Sequence, residues 1–351
     1  MRWKGWEHIP LEIADPGTAS GTQKVDAIAP LIVSASRSTD IPAFYGDWFM
    51  ARLHAGYVKW KSPFGGSPVY VSFAKTRLFV FWSKNPQPFL VHLDTLDRMG
   101  YSYYFLYTLN DYDAEGLEPR VPPVDERIET FIRLSRRIGK GRVVWRFDPL
   151  VLSDRITVGD LLEKIRSVGD RISPYTSRLV FSFVDIAKYR KVQRNLQGQG
   201  FSGVREFSES ERTEFCSGLA ELNRRWSFEI SSCGEKEDLS RYGIAKGQCI
   251  SYSLITREFS HDPALMGFLC PSGKQALYRS ADPSVYTRHL KDPGQRNTCN
   301  CIVSKDIGQY STCMHLCAYC YANTSPLAVT ANYQRYCDAV GRGIFHDSII
   351  G

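Results

Sequence analysis

Seven short apolar segments recur along the chain, each followed by a polar cluster and most by a stretch with helical periodicity. They are rich in Val, Ile, Phe and Tyr, as strands buried on both faces of a parallel sheet are. The segments are LIVSAS (31–36), LFVFWSKN (78–85), YYFLYTLND (103–111), RVVWRFDP (142–149), RLVFSFVD (178–185), SFEISSCGE (227–235) and NCIVSKDIG (300–308). Strands that alternate with helices predict an α/β fold with a parallel, TIM-like (β/α) barrel, closed or partly open.

Helical periodicity is clearest in two of the segments between these apolar runs. In DERIETFIRLSRRIG the apolar residues fall near one face of a helix, and Gly139 suits its C-terminal end. SESERTEFCSGLAELNRRW predicts a second helix, with Ser208 or Ser210 as its N-cap. Both segments therefore fit the role of connecting helices in βα units.

The alternation of strands and helices divides the chain into one barrel domain with an extension at each end. Residues 1–30 include the loop-like ADPGTASGTQ and predict an irregular N-terminal extension. Residues 31–325 contain the barrel, in which Gly-Gly and Pro between the apolar segments of 57–77 predict an inserted hairpin or lid. A cysteine-rich loop occupies 309–323, and 326–351 predict a C-terminal helix and tail.

Polar side chains stand at the C-terminal end of each predicted strand. In a parallel barrel these ends converge on one face, where active sites lie, so seven polar ends in succession indicate a lined site. The candidate catalytic residues are Arg37, Asp40, Lys84, Arg146 and Asp148. A local salt bridge is the alternative for Arg146 and Asp148, and a solvated strand end is the alternative for Lys84. Lys305 and Asp306 end the strand before the cysteine-rich loop and are expected to position a cofactor there, unless they too are solvated.

Composition and charge are typical of a soluble globular protein. Of 351 residues, 43% are hydrophobic and 23% are charged, and no apolar run approaches the roughly 20 residues of a membrane-spanning helix. The start, MRWKGWEHIP, has no apolar segment typical of a secretory signal, so we expect a cytoplasmic protein without a membrane partner. The net charge of +7 fits either a mildly basic surface or an anionic partner, such as nucleic acid or a phosphorylated small molecule.

Ten cysteines are distributed unevenly along the chain. None precedes Cys216, and six follow residue 298. Packing cysteines would scatter, and a disulfide framework is not expected in the cytoplasm, so the clustering favours metal ligands. Cys216, Cys270 and Cys337 have no spaced partner, and we interpret them as packing residues.

Cys313, Cys317 and Cys320 form a C-x3-C-x2-C pattern within TCMHLCAYCYAN. Three thiolates on one short loop can hold three irons of a [4Fe–4S] cluster, whereas electron-transfer clusters use four. The open fourth iron can chelate the amino and carboxylate groups of S-adenosylmethionine, and reduction then yields a 5′-deoxyadenosyl radical. The alternative is a zinc ion bound by the three cysteines and His315, although zinc ligands usually come as two separated pairs.

The sequence CMHLCAYCYA resembles the cluster loop of radical S-adenosylmethionine enzymes, with Tyr319 in the aromatic position before the last cysteine. The form C-x-H-x-C-x-Y-C-Y-A is similar to that of the spore photoproduct lyase-like branch. Across residues 30–325, SASRSTDIPAFY, FWSKNP, WRFDPL, SFVD and CIVSKDIGQYSTCMHLCAYCYAN resemble an uncharacterised bacterial family, domain of unknown function 1848. The first resemblance implies a [4Fe–4S] cluster, S-adenosylmethionine and a reductant such as flavodoxin or ferredoxin.

The position of this loop departs from the pattern of radical S-adenosylmethionine enzymes. In those enzymes the loop follows the first barrel strand, whereas here the other predicted strands precede it. A circular permutation would reconcile the two orders, with strand 300–307 as the first strand and LIVSASRSTD as the second. Under this interpretation Ser36, Arg37 and Asp40 lie where such enzymes contact the amino group of S-adenosylmethionine.

Four further cysteines suggest a second metal site. Two of them lie on predicted strands, and one of these two is near the expected mouth of the barrel. The four are Cys233, Cys249, Cys299 and Cys301. Four thiolates would hold an auxiliary [4Fe–4S] cluster or a structural zinc ion, and the alternative is that some are merely small buried residues.

The cysteine loop and the polar strand ends together predict an iron–sulfur enzyme of radical S-adenosylmethionine type. It would abstract hydrogen from a substrate held at the C-terminal face of the barrel. The likeness of the loop to the photoproduct lyase branch and the net charge point to DNA or another anionic substrate. The competing hypothesis is a non-catalytic zinc or iron–sulfur metalloprotein that binds nucleic acid.

Overall fold

A parallel sheet of eight strands forms the centre of the computed structural model, which describes residues 4–14, 17, 20–201, 203–270 and 288–351. In chain order the strands are β1 (His8–Ala14), β2 (Thr22–Ile28), β3 (Ile32–Ala35), β4 (Tyr57–Trp60), β5 (Val69–Ser72), β6 (Leu78–Ser83), β7 (Ser102–Thr108), β8 (Val143–Leu150), β9 (Arg178–Phe183), β10 (Glu229–Ser232), β11 (Ala245–Lys246) and β12 (Lys305–Asp306). The α-helices are α1 (Ile41–Phe44), α2 (Gly46–Ala55), α3 (Leu93–Arg98), α4 (Val124–Ile138), α5 (Val158–Ile172), α6 (Arg190–Gly198), α7 (Glu209–Trp226), α8 (Tyr252–Glu258), α9 (Pro263–Leu269) and α10 (Pro326–Gly341).

The large sheet has the strand order β11-β10-β9-β8-β7-β6-β3-β12, and every neighbouring pair is parallel. This confirms the predicted α/β class and the parallel sheet. Within the described ranges the edge strands β11 and β12 are not paired with each other, so the hydrogen-bonded sheet is open between them. Strand β12, which is late in the sequence, lies beside β3, with Lys305 opposite Val33 and Asp306 opposite Ser34.

The central strands of the large sheet are buried on both faces, as their continuous apolar runs predict, whereas the edge strands β11 and β12 are exposed or half-buried. All six residues of β6 are buried. Phe79 and Phe81 pack against Phe49 of α2, with ring centroids 5.2 and 5.5 Å apart. Leu78 and Val80 point to the opposite face, where they join a second apolar cluster with side chains from α8 and α9. One face of the sheet is therefore covered by helices such as α2, α4, α5 and α7, and the other by the segment that contains α8 and α9.

Two of the predicted helices begin and end where their sequences indicate. Helix α4 ends before Gly139, whose φ of 94° favours glycine. Helix α7 begins after Ser208, whose hydroxyl accepts a hydrogen bond from the Glu211 amide at 3.3 Å. The Glu211 carboxylate accepts the Ser208 amide in return, which completes a capping box.

A smaller four-stranded sheet, with the order β1-β2-β5-β4, corrects the expectation that 1–30 is irregular. Strands β1 and β2 pair antiparallel, β2 pairs parallel with β5, and β5 pairs antiparallel with β4. Ile9, Leu11 and Ile13 alternate along β1 as in a half-buried strand, but the loop-like ADPGTASGTQ, which overlaps the ends of both strands, led to the expectation of an irregular segment. The segment expected to be a hairpin or lid at 57–77 thus contributes two strands to a sheet.

The last predicted strand is shorter than expected. The sequence NCIVSKDIG (300–308) predicted a full strand, but only Lys305–Asp306 pair in the sheet. Cys301, Ile302 and Val303 lie in the apolar cluster with α8 and α9, on one face of the large sheet, and this burial accounts for the apolar run. Burial against a face and pairing within a sheet therefore gave the same sequence pattern.

The C-terminal tail returns to the body of the protein after α10. Trp48 donates a hydrogen bond from Nε1 to the His346 carbonyl at 2.9 Å, and the Lys59 amide donates to the Asp347 carbonyl at 2.6 Å. The Ile350 amide donates to Gln309 Oε1 at 3.2 Å, which joins the tail to the start of the cysteine-rich loop. Among the helices of the described residues, none is long and apolar enough to span a membrane.

Candidate functional site

Asp40 anchors the cysteine-rich loop to the ends of β3 and β6. It caps α1 by accepting the Ala43 amide at 3.0 Å, and it accepts the Ser83 hydroxyl and the Lys84 amide, each at 2.7 Å. Its Oδ2 also lies 2.7 Å from Nε2 of His315, in the middle of the loop. Four groups therefore engage the two oxygens of Asp40. This places the predicted catalytic carboxylate in a positioning role for the loop.

His315 is held at both ring nitrogens. Its Nε2 faces the Asp40 carboxylate, and its Nδ1 lies 3.3 Å from the Arg120 carbonyl. The side chain is buried, and Phe44 packs against the ring at a centroid distance of 4.7 Å. Because each nitrogen already faces an oxygen acceptor, neither is directed toward a metal together with the neighbouring thiols. The arrangement disfavours the three-cysteine, one-histidine zinc site.

Glu118 organises a second buried network behind the loop. Lys84 Nζ lies 2.7 Å from Glu118 Oε1 and 3.1 Å from the Tyr319 hydroxyl. Tyr319 donates to the same carboxylate, as does Asn110 Nδ2 at 2.8 Å. Burial alone would raise the pKa of Glu118, but Lys84 and Arg127 outweigh it and lower that pKa to about 2. Lys84 and Tyr319 were candidate site residues in the sequence analysis. Both contact the carboxylate of Glu118, which the sequence analysis did not identify.

The three thiols of the loop lie within electrostatic reach of one another. Cys317 is buried, whereas Cys313 and Cys320 are half-buried. Burial raises the pKa of Cys313 to about 12 and raises that of the Cys317 thiol as well, and the Lys84 ammonium opposes the rise at Cys317. Such thiols are protonated at neutral pH unless a cation replaces the proton, so they are not activated nucleophiles.

Backbone contacts fix the loop around these thiols. Asn195 of α6 donates from Nδ2 to the Cys320 carbonyl at 3.0 Å, and the Cys320 amide donates to the Cys317 carbonyl at 3.1 Å. Asn323 donates from Nδ2 to the Cys313 carbonyl at 2.9 Å. The loop is thus held at each cysteine before any metal binds.

Arg37 and Asp306 join β3, β12 and the cysteine-rich loop. The Arg37 amide donates to Asp306 Oδ2 at 2.8 Å, and its guanidinium donates to the Ser304 hydroxyl at 3.1 Å. Tyr321, the residue after Cys320, donates its hydroxyl to the Arg37 carbonyl at 3.0 Å. Asp292 lies 3.7 Å from the guanidinium. The predicted cofactor-binding pair is therefore beside the loop.

Ser36 and Lys305 serve different surroundings. The Ser36 hydroxyl accepts the amides of Ser38 and Thr39 at 3.0 and 3.2 Å, which shapes the turn after β3. The Lys305 ammonium lies 3.1 Å from the centre of the Trp60 ring, on the side of the smaller sheet. Burial lowers the pKa of Lys305 to about 8. Lys305 is thus turned toward β4, although its sequence neighbour Asp306 faces Arg37.

Arg146 and Asp148, at the end of β8, form an ion pair, which was the alternative considered for them. Asp148 also accepts the Ser182 hydroxyl from β9, and its amide donates to Asn110 Oδ1 at 2.8 Å. The buried Nε of Arg146 has no hydrogen-bond partner among the residues that the structure describes. A buried guanidinium with one unused donor is suited to an anionic group placed beside it.

The second set of cysteines forms a continuous group of thiols. The sulfurs of Cys233 and Cys249 are 3.7 Å apart. Cys249 is a hydrogen-bond partner of Cys301 as well, and Cys301 is a partner of Cys299. The structure thus brings together all four residues that the sequence proposed for a second site. In the ranges described above, however, no three or more Cys, His, Asp or Glu side chains are already arranged to hold a metal ion.

The two cysteine groups face a common region between them. Arg37 interacts electrostatically with Cys301 and Cys249 of the second group, and Tyr321 of the first loop contacts its carbonyl. Arg146 interacts with Cys233, Cys249 and Tyr321 in the same way. The guanidiniums of Arg37, which is half-buried, and Arg146, which is buried, therefore lie near both the cysteine-rich loop and the four-cysteine group. This is the end of the sheet at which the sequence predicted a lined site.

Several residues of this region were not found from the sequence. Glu118 lies ten residues after β7, Asp292 precedes β12, and Ser182 lies inside a buried strand. Their partners are far away in the chain: Glu118 pairs with residues 34 and 201 positions distant. A spacing motif carries no signal for such contacts, so the polar character of single residues was the only clue.

A family described as a domain of unknown function, DUF1848, matches residues 32–322. This match includes both cysteine groups and the strand ends that carry the arginines. None of the curated proteins and none of the solved structures matches the chain.

Proposed function

The chain belongs to the DUF1848 family, and from its own residues we propose that it is an iron–sulfur enzyme of radical S-adenosylmethionine type. Cys313, Cys317 and Cys320 hold a [4Fe–4S] cluster, and the substrate binds at the C-terminal ends of the strands. The observation that carries this proposal is a three-thiol loop in which the one neighbouring imidazole is bound elsewhere, to Asp40. Three thiolates without a fourth protein ligand leave one iron of a cluster open.

The strand order supports the proposal of a permuted barrel. In the arrangement that we infer, β12 is the first strand, the cysteine-rich loop follows it, and β3 is the second strand. Their adjacency and parallel pairing agree with this order. From β3 the order continues through β6, β7, β8, β9 and β10 without a reversal, as successive βα units of a barrel do.

In this proposal a cluster held by Cys313, Cys317 and Cys320 together with S-adenosylmethionine would supply one-electron radical chemistry able to abstract hydrogen from the substrate, with a reductant such as flavodoxin or ferredoxin as the electron source. The protein would position the iron–sulfur cluster and S-adenosylmethionine. Arg37 and Asp306 lie beside the loop, and in our proposal they contact the charged ends of the methionine moiety. Asp40 and His315 keep the loop in register with β6, and Lys84 with Glu118 holds Tyr319.

The substrate is proposed to be anionic, with DNA as one candidate. Arg146 is buried, its Nε has no hydrogen-bond partner in the described part of the chain, and it lies near Cys233, Cys249 and Tyr321. The net charge of +7 also favours an anion over a cation. Binding of a single-stranded oligonucleotide that weakens steeply with added salt would support a phosphate-bearing substrate, and binding insensitive to salt would argue against it.

The test is anaerobic reconstitution with iron and sulfide, followed by S-adenosylmethionine and dithionite. We expect 5′-deoxyadenosine from the wild-type protein and none from Cys317→Ala. Cys337→Ala, in α10 and outside both cysteine groups, is the matched control and should retain the product. A protein with four irons and four sulfides per chain that forms no 5′-deoxyadenosine would overturn the proposal. A colourless protein with zinc in this loop would favour the competing non-catalytic metalloprotein.

A further inference from the structure

The four-cysteine group lies across the open seam of the large sheet. Cys233 follows β10, and Cys249 follows β11, at one edge of the sheet. Cys299 and Cys301 precede β12, at the other edge. The sulfur contacts among these residues therefore connect the two edges that the strand hydrogen bonds leave apart. The Ile302 amide donates to the Ile250 carbonyl at 3.2 Å along the same seam.

Hydrogen-bond donors and cations surround the sulfurs of this group. The amides of Cys249 and Ile250 point to the Cys301 sulfur, at 3.2 and 3.5 Å. Amide donors directed at a sulfur are contacts of the kind that surround metal-bound ligands and orient them. The guanidiniums of Arg37, Arg146 and Arg296 interact electrostatically with sulfurs of the group. A four-thiolate ion site would be doubly negative with a divalent metal, and nearby cations stabilise such a charge.

The spacing of the sulfurs distinguishes a single ion from a cluster. A tetrahedral ion with metal–sulfur bonds of about 2.3 Å keeps its sulfurs about 3.8 Å apart. The 3.7 Å between Cys233 and Cys249 agrees with that edge length. Thiolates of a [4Fe–4S] cluster bind four different irons and are held farther apart than ligands of one ion.

We propose that Cys233, Cys249, Cys299 and Cys301 bind one zinc ion, which closes the seam between β11 and β12. Because the thiols form a row rather than a finished tetrahedron, binding requires the outer two side chains to rotate inward. Zinc undergoes no redox change, so the ion stabilises the closed arrangement of the strands without taking part in electron transfer. This site does not depend on the function proposed for the first loop.

The experiment uses the full-length protein with the first loop disabled. In the variant Cys313→Ser/Cys317→Ser/Cys320→Ser we expect one zinc per chain and no iron or sulfide. Adding Cys299→Ser/Cys301→Ser to it should remove the zinc, whereas adding Cys337→Ser should leave one zinc per chain. The zinc content of these variants is independent of the radical reaction, because that reaction requires the cysteines of the first loop, which all of these variants lack.

If the variant lacking Cys299 and Cys301 does not fold, cobalt provides the second measurement. Co²⁺ added to the zinc-stripped first-loop variant should give the visible absorption of a tetrahedral four-thiolate site, and one equivalent of zinc should abolish it. Iron and sulfide in the first-loop variant would overturn the proposal in favour of an auxiliary cluster. Absence of both metal and cobalt absorption would show that the four cysteines are packing residues.

Discussion

Replacing Glu118 with Gln tests the buried network that supports the cysteine-rich loop. The carboxylate accepts hydrogen bonds from Lys84, Tyr319 and Asn110, and it lies 3.8 Å from an Arg127 nitrogen. Gln has almost the same size and retains one carbonyl oxygen, so the change removes charge rather than volume. It leaves two buried cations without their shared counterion.

The expected loss follows from the pKa of this carboxylate. Lowering that pKa from 4.5 to about 2 means that folding favours the ionised form by about 3 kcal/mol. Breaking a buried ion pair by removing one partner costs about 3–5 kcal/mol, which is consistent. We therefore expect Glu118→Gln to lower the free energy of unfolding at pH 7 by about 3 kcal/mol.

The pH dependence of unfolding provides a second test of the contribution of Glu118. Because the folded-state pKa of Glu118 is lowered, its contribution is complete above about pH 4.5 and is lost as the pH falls toward 2. Urea unfolding of the metal-free protein at pH 7 and at pH 3 should therefore show a smaller difference between variant and wild type at pH 3. Glu163→Gln, at an exposed ion pair of α5, is the control and should change neither value measurably. A loss at pH 7 below about 1 kcal/mol, or an equal loss at both pH values, would refute the reasoning.

Three further changes test other parts of the structure. Gly308→Ala would bring a Cβ within 1.8 Å of the Ser36 hydroxyl oxygen, so we expect it to lower the free energy of unfolding in urea by at least about 1–3 kcal/mol. Gly267→Ala is the control, because its Cβ would meet open space, and it should not lower the free energy of unfolding. Ser208→Ala removes the N-cap of α7 and should lower the free energy of unfolding by about 1 kcal/mol, and an unchanged midpoint would contradict the capping role. Asp40→Asn weakens the interaction of Asp40 with His315 of the cysteine-rich loop. The amount of iron that the reconstituted protein retains against a chelator should then fall about 10-fold or more, and retention equal to that of the wild type would argue against a positioning role for Asp40.

Local patterns predicted the elements that depend on local interactions. The apolar runs of β6, β7 and β8 are strands because both faces of the sheet are covered, and the caps of α4 and α7 are set by residues within one turn. The hairpin of β1 and β2 was missed although Ile9, Leu11 and Ile13 alternate in β1, because the loop-like ADPGTASGTQ overlaps the ends of both strands. The length of β12 was overestimated because Ile302 and Val303 are buried against a face of the large sheet, and such residues give the same apolar run as residues paired within it.

The candidate site could be predicted only in part for the same reason. Cysteine spacing and clustering singled out the loop and the group of four as candidate metal ligands. Whether those four thiols meet depends on three distant segments, and the sequence carries no signal for that contact. The carboxylate of Glu118 was invisible because it acts through partners from two other parts of the chain.

The late position of β12 has a consequence for biosynthesis. Strand β3 emerges from the ribosome early, but its neighbour at the sheet edge comes about 270 residues later, and the cysteine-rich loop follows that neighbour. At about 5–20 residues per second, that edge of the nascent sheet waits about 15–60 s for its partner. A chain that stops before the loop can form most of the sheet but has no ligands at the first site. Under the function that we propose, loading of the cofactor is therefore a step that only a chain translated through Cys320 can reach.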